Sequence, residues 1–187
     1  MVVAGIDYSL TCPAISVYDT GANKFCFDNV SSYFRSNLKR FSWFDERNMI
    51  AENHGQYKTD EDRYDDIANW ALSIMVKKHN VDKVFLEGYS YGSTGKVFHI
   101  AENTAVLKYL MWDEELEFEV VPPTVIKKFA TGKGNANKEK MYEAFCNENV
   151  GSDLRELLTP RSSNVISPVG DVVDSYYILK YGLSKLN

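Results

Sequence analysis

Short apolar runs alternate with helical stripes along this chain, and their order predicts its architecture. Val2-Val3-Ala4-Gly5-Ile6-Asp7 reads as a buried strand that ends on an acid. Residues 13–19 and 24–30 read as two more strands, joined at Gly21-Ala22-Asn23, where the residue types favour a hairpin. Residues 31–59 hold Tyr33, Phe34, Phe41, Trp43 and Phe44 beside basic residues, with a short helix expected around 45–51. Such a cluster either forms an aromatic flap near a ligand or packs on the body. Thr59-Asp60-Glu61-Asp62 places acids at the positive end of a helix dipole. Tyr64, Ile67, Ala68, Ala71, Leu72 and Met75 then follow helical spacing, and Lys77-Lys78-His79-Asn80 closes the helix. Next come a strand over 82–87, a helix over 97–112 and a strand over 116–121. Pro122-Pro123 breaks the chain before a short helix, 124–130. A glycine-containing loop leads to helix 137–149, an irregular stretch follows Leu158, and helix 170–184 comes last.

The predicted order is β-β-β-α-β-α-β-α-α. Three antiparallel strands followed by alternating helix and strand predict an α/β fold. The expected sheet is five-stranded and mixed, flanked by helices, in one domain spanning 1–187. A chain of 187 residues is large enough for a core without staples.

Composition narrows the setting. Cys12, Cys26 and Cys146 are odd in number and widely spaced, which favours a reduced, cytoplasmic compartment. The opening apolar run is too short for a signal peptide or a membrane span. His54, His79 and His99 show no i, i+4 pairing. The net charge of −5 argues against wholesale attraction to nucleic acid. The charge is uneven, however. Acids crowd 60–66 and 113–119. Lys127, Lys128, Lys133, Lys138 and Lys140 gather on one stretch, and Arg35, Lys39 and Arg40 form a smaller group. A local basic face can bind DNA under a negative total.

Four acids then change the picture. Asp7 and Glu87 each end an apolar strand, and Asp171 and Asp174 stand three apart on the last helix. That spacing puts both on one helix face. Oxygen ligands of this kind suit Mg²⁺ or Mn²⁺ and, in pairs of cations, in-line attack on a phosphate. Clustered carboxylates repel unless a cation is present. The competing reading makes Asp171 a helix cap with Asp174 in the first turn. The segment 90–97 is similar to a Walker A loop, but Ser90 and Val97 stand where that motif needs glycine and Ser/Thr. A glycine-rich turn opening a helix can still meet a DNA phosphate.

Taken in order, these motifs resemble the RuvC-type Holliday-junction resolvases of the RNase H-like nuclease and integrase superfamily. Gly5-Ile6-Asp7-Tyr8-Ser9 is similar to that family's G-I-D-P-G motif, and Val84-Phe85-Leu86-Glu87 to its second acidic strand. Pro122-Pro123-Thr124-Val125-Ile126-Lys127-Lys128 resembles its P-P-x-x-V-K segment. Thr131-Gly132-Lys133-Gly134-Asn135-Ala136-Asn137-Lys138 resembles its T-G-x-G-x-A-x-K loop, and Asp171-Val172-Val173-Asp174 its D-x-x-D helix. Tyr8 and Ser9 depart from the pattern, and segments 31–59 and 151–169 look longer than in bacterial members. That points to a divergent, phage or viral version.

The resemblance implies an RNase H-like fold and a Mg²⁺-dependent endonuclease, with Mn²⁺ able to substitute, that cleaves four-way DNA junctions. It implies Asp7, Glu87, Asp171 and Asp174 as metal ligands and catalytic residues. It implies DNA contacts from Lys127, Lys128, Lys133 and Lys138, and a stacking tyrosine at Tyr89 or Tyr91. Two opposed nicks imply a homodimer, with helix 97–112 as the interface and Tyr109 and Trp112 free for a partner. The alternatives are a flap or RNA-directed nuclease, an actin/Hsp70-like nucleotide-binding domain, and an inert nucleic-acid scaffold.

Overall fold

Strand β1 (Val2–Asp7) organises the computed structural model of the chain, which describes residues 1–22, 24–89 and 97–186. It pairs antiparallel with β2 (Ala14–Asp19), which pairs antiparallel with β3 (Ser31–Ser36). A hairpin of β4 (Phe44–Glu46) and β5 (Met49–Asn53) extends that side, with β5 parallel to β3. On the other side β6 (Lys83–Glu87) and β7 (Glu117–Val121) run parallel to β1. Among the described residues the sheet order is β4-β5-β3-β2-β1-β6-β7.

Helices cover both faces. One face carries α1 (Asp60–Leu72), which continues as a π-helical stretch over Ser73–Lys78, and α2 (Val97–Asp113). The predicted start of α1 is a reciprocal capping box between Thr59 and Asp62. The other face carries α6 (Val169–Leu186). Against α6 pack α3 (Pro123–Thr131), α4 (Lys138–Glu148) and α5 (Leu154–Leu158). Among the described residues no helix is long and apolar enough to cross a membrane.

Strand alternation divides the two cores. Ala4 and Ile6 of β1, with Val84 and Leu86 of β6, face α1 and α2. Val3 and Phe85 face α6. Gly5 lies on the α6 side, where a Cβ would stand 2.2 Å from the backbone nitrogen of Leu179. Gly182 of α6 is equally tight, with an added Cβ 2.1 Å from the Phe85 ring. Helix and sheet thus meet almost backbone to backbone, joined further by a buried 2.8 Å hydrogen bond between Ser16 Oγ and Ser175 Oγ.

Several sequence expectations need correction. The third strand is 31–36, and 24–30 instead holds a 3₁₀ turn, Phe27–Asn29. Tertiary packing overrides local strand propensity there. Phe27 inserts edge-on between Phe145 and Tyr176, and Asn48 Nδ2 donates to the carbonyls of Phe27 and Val30. Residues 45–51 form the β4–β5 hairpin rather than a helix, turning at Arg47 with φ of 56°. Met49 and Ala51 are buried while Ile50 between them is half-buried, a strand's period. These two edge strands make the sheet seven-stranded rather than five-stranded. The aromatic cluster packs on the body: Phe34, Phe41 and Phe44 contact one another, while Trp43 is 96% exposed.

Candidate active site

The alternation that puts Gly5 on α6 puts Asp7 there as well. Glu87 follows Leu86, the register partner of Ile6, and shares that face at the same end of the sheet. Helix α6 begins at this end and presents Asp171 and Asp174. The four acids line one open cleft of about 550 Å³, together with Lys127, Lys138, Arg63 and Tyr89.

Burial and mutual repulsion act on these acids together. Burial pushes Asp7 well above the usual carboxylate range, and the charges of Glu87, Asp171 and Asp174 push it further. Burial raises Glu87 to about 7, reinforced by Asp174 and opposed by Lys127 and Lys138. Asp174 is raised to about 6, again by burial first, with Lys138 opposing. The Lys138 ammonium is disfavoured by burial, yet Asp171, Asp174 and Asp7 together hold its pKa above the usual value.

Lys138 sits in the first turn of α4 behind Asn137, whose side chain caps that helix. Its stem crosses Gly170, where an added Cβ would stand 3.0 Å from Lys138 Cδ. Its Nζ lies 3.5 Å from Asp171 Oδ1. Asp171 Oδ2 is buried and has no hydrogen-bond partner among the described residues. Asp171 therefore does not serve as a helix cap. Among the described residues no three acids, histidines or cysteines stand close enough to hold a metal ion as arranged. The chemistry of the donors fits one nonetheless: all four are carboxylates, and Asp171 Oδ2 is unused among the described residues.

Sequence reasoning missed what holds the loop after β1. Arg63 of α1 donates to the Leu10 carbonyl, and His54 Nε2 bonds the Thr11 carbonyl at 3.0 Å. Ser9 Oγ accepts from the Cys12 amide, and burial with the Asp171 charge raises the Cys12 thiol. Nothing in the spacing of Arg63 or His54 marks them for this task, because the contact is purely tertiary.

The other expected contacts divide. Lys127, Lys138 and Tyr89 line the cleft. Lys128 lies away from it beside Phe129 and Tyr181, and Lys133 beside Lys140 and Glu143. Helix and turn geometry points them to other surfaces. Tyr91, like the rest of the 90–96 turn, lies outside the described residues, as does Asn23. Arg35 is withdrawn from the surface group: it is buried and paired with Asp66 and Glu52.

The raised carboxylates predict an unusual stability profile. Folded Glu87 and Asp174 keep protons that the unfolded chain releases near its ordinary values, so the folded state binds more protons between about pH 4 and pH 7. Their contribution is favourable below that window and is lost as pH rises through it. In chelator, Asp174→Asn is expected to raise the unfolding midpoint over wild type, with the gap widening from pH 5 to pH 8. Excess Mn²⁺ at pH 8 stabilises wild type more than the variant. A gap that is constant or shrinks with pH contradicts this electrostatic account.

No family model matches the chain, and no curated protein matches it in sequence. Solved structures do match in fold. Thermus thermophilus RuvC aligns with a TM-score of 0.60 at 15% identity, over 99% of this chain and 96% of that one. The yeast mitochondrial Holliday junction resolvase Ydc2 aligns with a TM-score of 0.56 at 13% identity, over 95% and 75%. Fowlpox virus resolvase, solved with substrate Holliday junction DNA, gives 0.52 at 13% identity, over 100% and 99%. The chain therefore has the α/β, RNase H-like fold of the RuvC-type Holliday junction resolvases.

Proposed function

We propose that this chain is a single-domain, metal-dependent endonuclease that cleaves four-way and related branched DNA. The observation that carries the reading is the convergence of Asp7, Glu87, Asp171 and Asp174 on one cleft flanked by Lys127 and Lys138. Asp7, Glu87 and Asp174 would hold Mg²⁺ or Mn²⁺, with Asp171 completing the set through its unused oxygen. Such cations, when bound, stabilise the charge that grows on the attacking and leaving oxygens.

The protein's own groups do the rest. Water gives up a proton to solvent and forms a new bond to phosphorus as the bond to the 3′-oxygen breaks, and that oxygen takes up a proton from solvent to leave as a hydroxyl. Lys127 and Lys138 bring positive charge to the phosphate, and Lys138, already drawn toward Asp171, can shift to it. Tyr89, 44% exposed at the rim, offers a ring to a base unstacked at the branch point. The enzyme acts inside the cell, where such DNA is found.

Paired cleavage requires two clefts, and a C₂ homodimer supplies them. Helix α2 supports this reading. Thr104, Leu107 and Met111 are buried against the body, while Phe98, Tyr109 and Trp112 are 77%, 60% and 68% exposed. With Glu102 and Ala105 they form one outward stripe at helical spacing.

Asp7→Asn is expected to abolish cutting in Mg²⁺ while leaving four-way-junction binding largely intact, because it removes a ligand and no phosphate contact. Cleavage of four-way, flap and RNA substrates side by side is expected to favour the four-way junction. Full activity of Asp7→Asn, or of wild type in excess chelator, contradicts the mechanism. Preference for a flap or RNA contradicts the substrate.

Sedimentation at micromolar concentration is expected to give about twice the chain mass, and Trp112→Glu to return it to the monomer. A monomer both free and on the junction contradicts paired cleavage.

A further inference from the structure

The two segments that look long in the sequence, 31–59 and 151–169, meet in space. Arg40 donates to the carbonyl of Leu158, and its guanidinium lies 4.5 Å over the Phe41 ring. Arg161 extends from the residues after Leu158 and is exposed, as are Lys39 and Arg40. The Arg161 charge reaches Arg40, whose pKa is lowered by burial first and by that like charge second. Among the described residues none of these three cations forms an ion pair. Beside them stands Trp43, 96% exposed.

The ledge is held in shape. Asn53 Nδ2 donates to the carbonyls of Ser36 and Leu38, and Ser42 Oγ donates to Asn53 Oδ1 and to the Lys39 carbonyl. Two adjacent guanidiniums on a fixed turn, with no carboxylate between them, form an uncompensated positive site. Among the described residues the acids that follow Trp43 form no ion pair with it. Strand β4 is antiparallel to β5 and carries Glu46 toward the opposite end of the sheet.

Position gives the ledge its partner. Strand β3 is antiparallel to β2 and so points the same way as β1. Its end at Ser36 and the turn beyond it therefore lie along the same sheet edge as Asp7. At about 4.8 Å per strand, Lys39 and Arg40, just past β3, stand roughly 10–15 Å from Asp7, with Trp43 farther out beside β4. That is about three to four nucleotides at 3.4 Å each.

We propose that Lys39, Arg40, Trp43 and Arg161 form a second DNA contact, gripping the arm that leaves the carboxylate cleft. The proposal rests on the nuclease reading and adds an arm contact to it. Lys39, Arg40 and Arg161 meet phosphates about three to four nucleotides from the cut. Trp43 lays its ring against a sugar or an opened base beside them.

Methylphosphonate junctions, neutral at one phosphate at a time, test this with the full chain in chelator. Wild type is expected to lose affinity when a phosphate three to four nucleotides from the cut is neutralised. Lys39→Ala/Arg161→Ala, both exposed and outside the core, is expected to lose most of that sensitivity, with Arg40 alone remaining. Its slope of log affinity against log salt should be flatter by about two units, at 0.9 per contact. Trp43→Ala is expected to weaken junction binding about five-fold or more. A double variant that senses the same phosphate as strongly as wild type, or keeps the wild-type slope, overturns the ledge while leaving the nuclease reading standing. Wild type that binds junctions no better than it binds unrelated polyanions overturns both.

Discussion

The near backbone-to-backbone contact of α6 with β1 is the constraint on which the rest depends. Gly5 leaves no Cβ between the strand and Leu179, and Gly182 leaves none between the helix and Phe85. A methyl at Gly5 would collide with backbone, which cannot swing aside as a side chain can. The helix is therefore fixed in depth and in rotation. That seat sets Asp171 and Asp174 beside the strand ends that carry Asp7 and Glu87. Burial of Val172, Val173, Tyr176, Tyr177, Ile178 and Leu179 holds it, at about 1.5–3 kcal/mol for each fully buried large apolar side chain.

That packing works against electrostatics. It forces four carboxylates into one cleft, where burial and repulsion raise Asp7, Glu87 and Asp174. Lys138 offsets part of the cost from α4, across the space that Gly170 leaves. Such an arrangement is poor for stability and suited to cation binding, a common compromise at functional sites. The loop after β1 is braced from the opposite side of the sheet by Arg63 and His54, so both faces contribute to one edge.

Much of this was legible in the sequence because two patterns carry it. Short apolar runs mark β1 and β6 and put Asp7 and Glu87 at strand ends. Helical spacing fixes the face of Asp171 and Asp174. The strands at 2–7 and 83–87 and the helices over 60–72 and 138–148 follow from the same patterns. What was not legible is tertiary. The run 24–30 reads as a strand, yet Phe27 is drawn between Phe145 and Tyr176. The β4–β5 hairpin is short and anchored by Asn48 and Asn53, whose partners are far from a sequence-local pattern. Among the lysines, charge density alone could not separate Lys127 and Lys138, which reach the cleft, from Lys128 and Lys133, which do not.

The central claim is that α6 and the two strand ends together build one cation site. Calorimetric titration of Mn²⁺ into the intact protein at pH 8 tests it most directly. Binding to wild type is expected, with heat and affinity lost in both Asp7→Asn and Asp174→Asn, because one residue from each element is needed. Wild-type Mn²⁺ binding by either variant, or none by the wild type, would contradict the account.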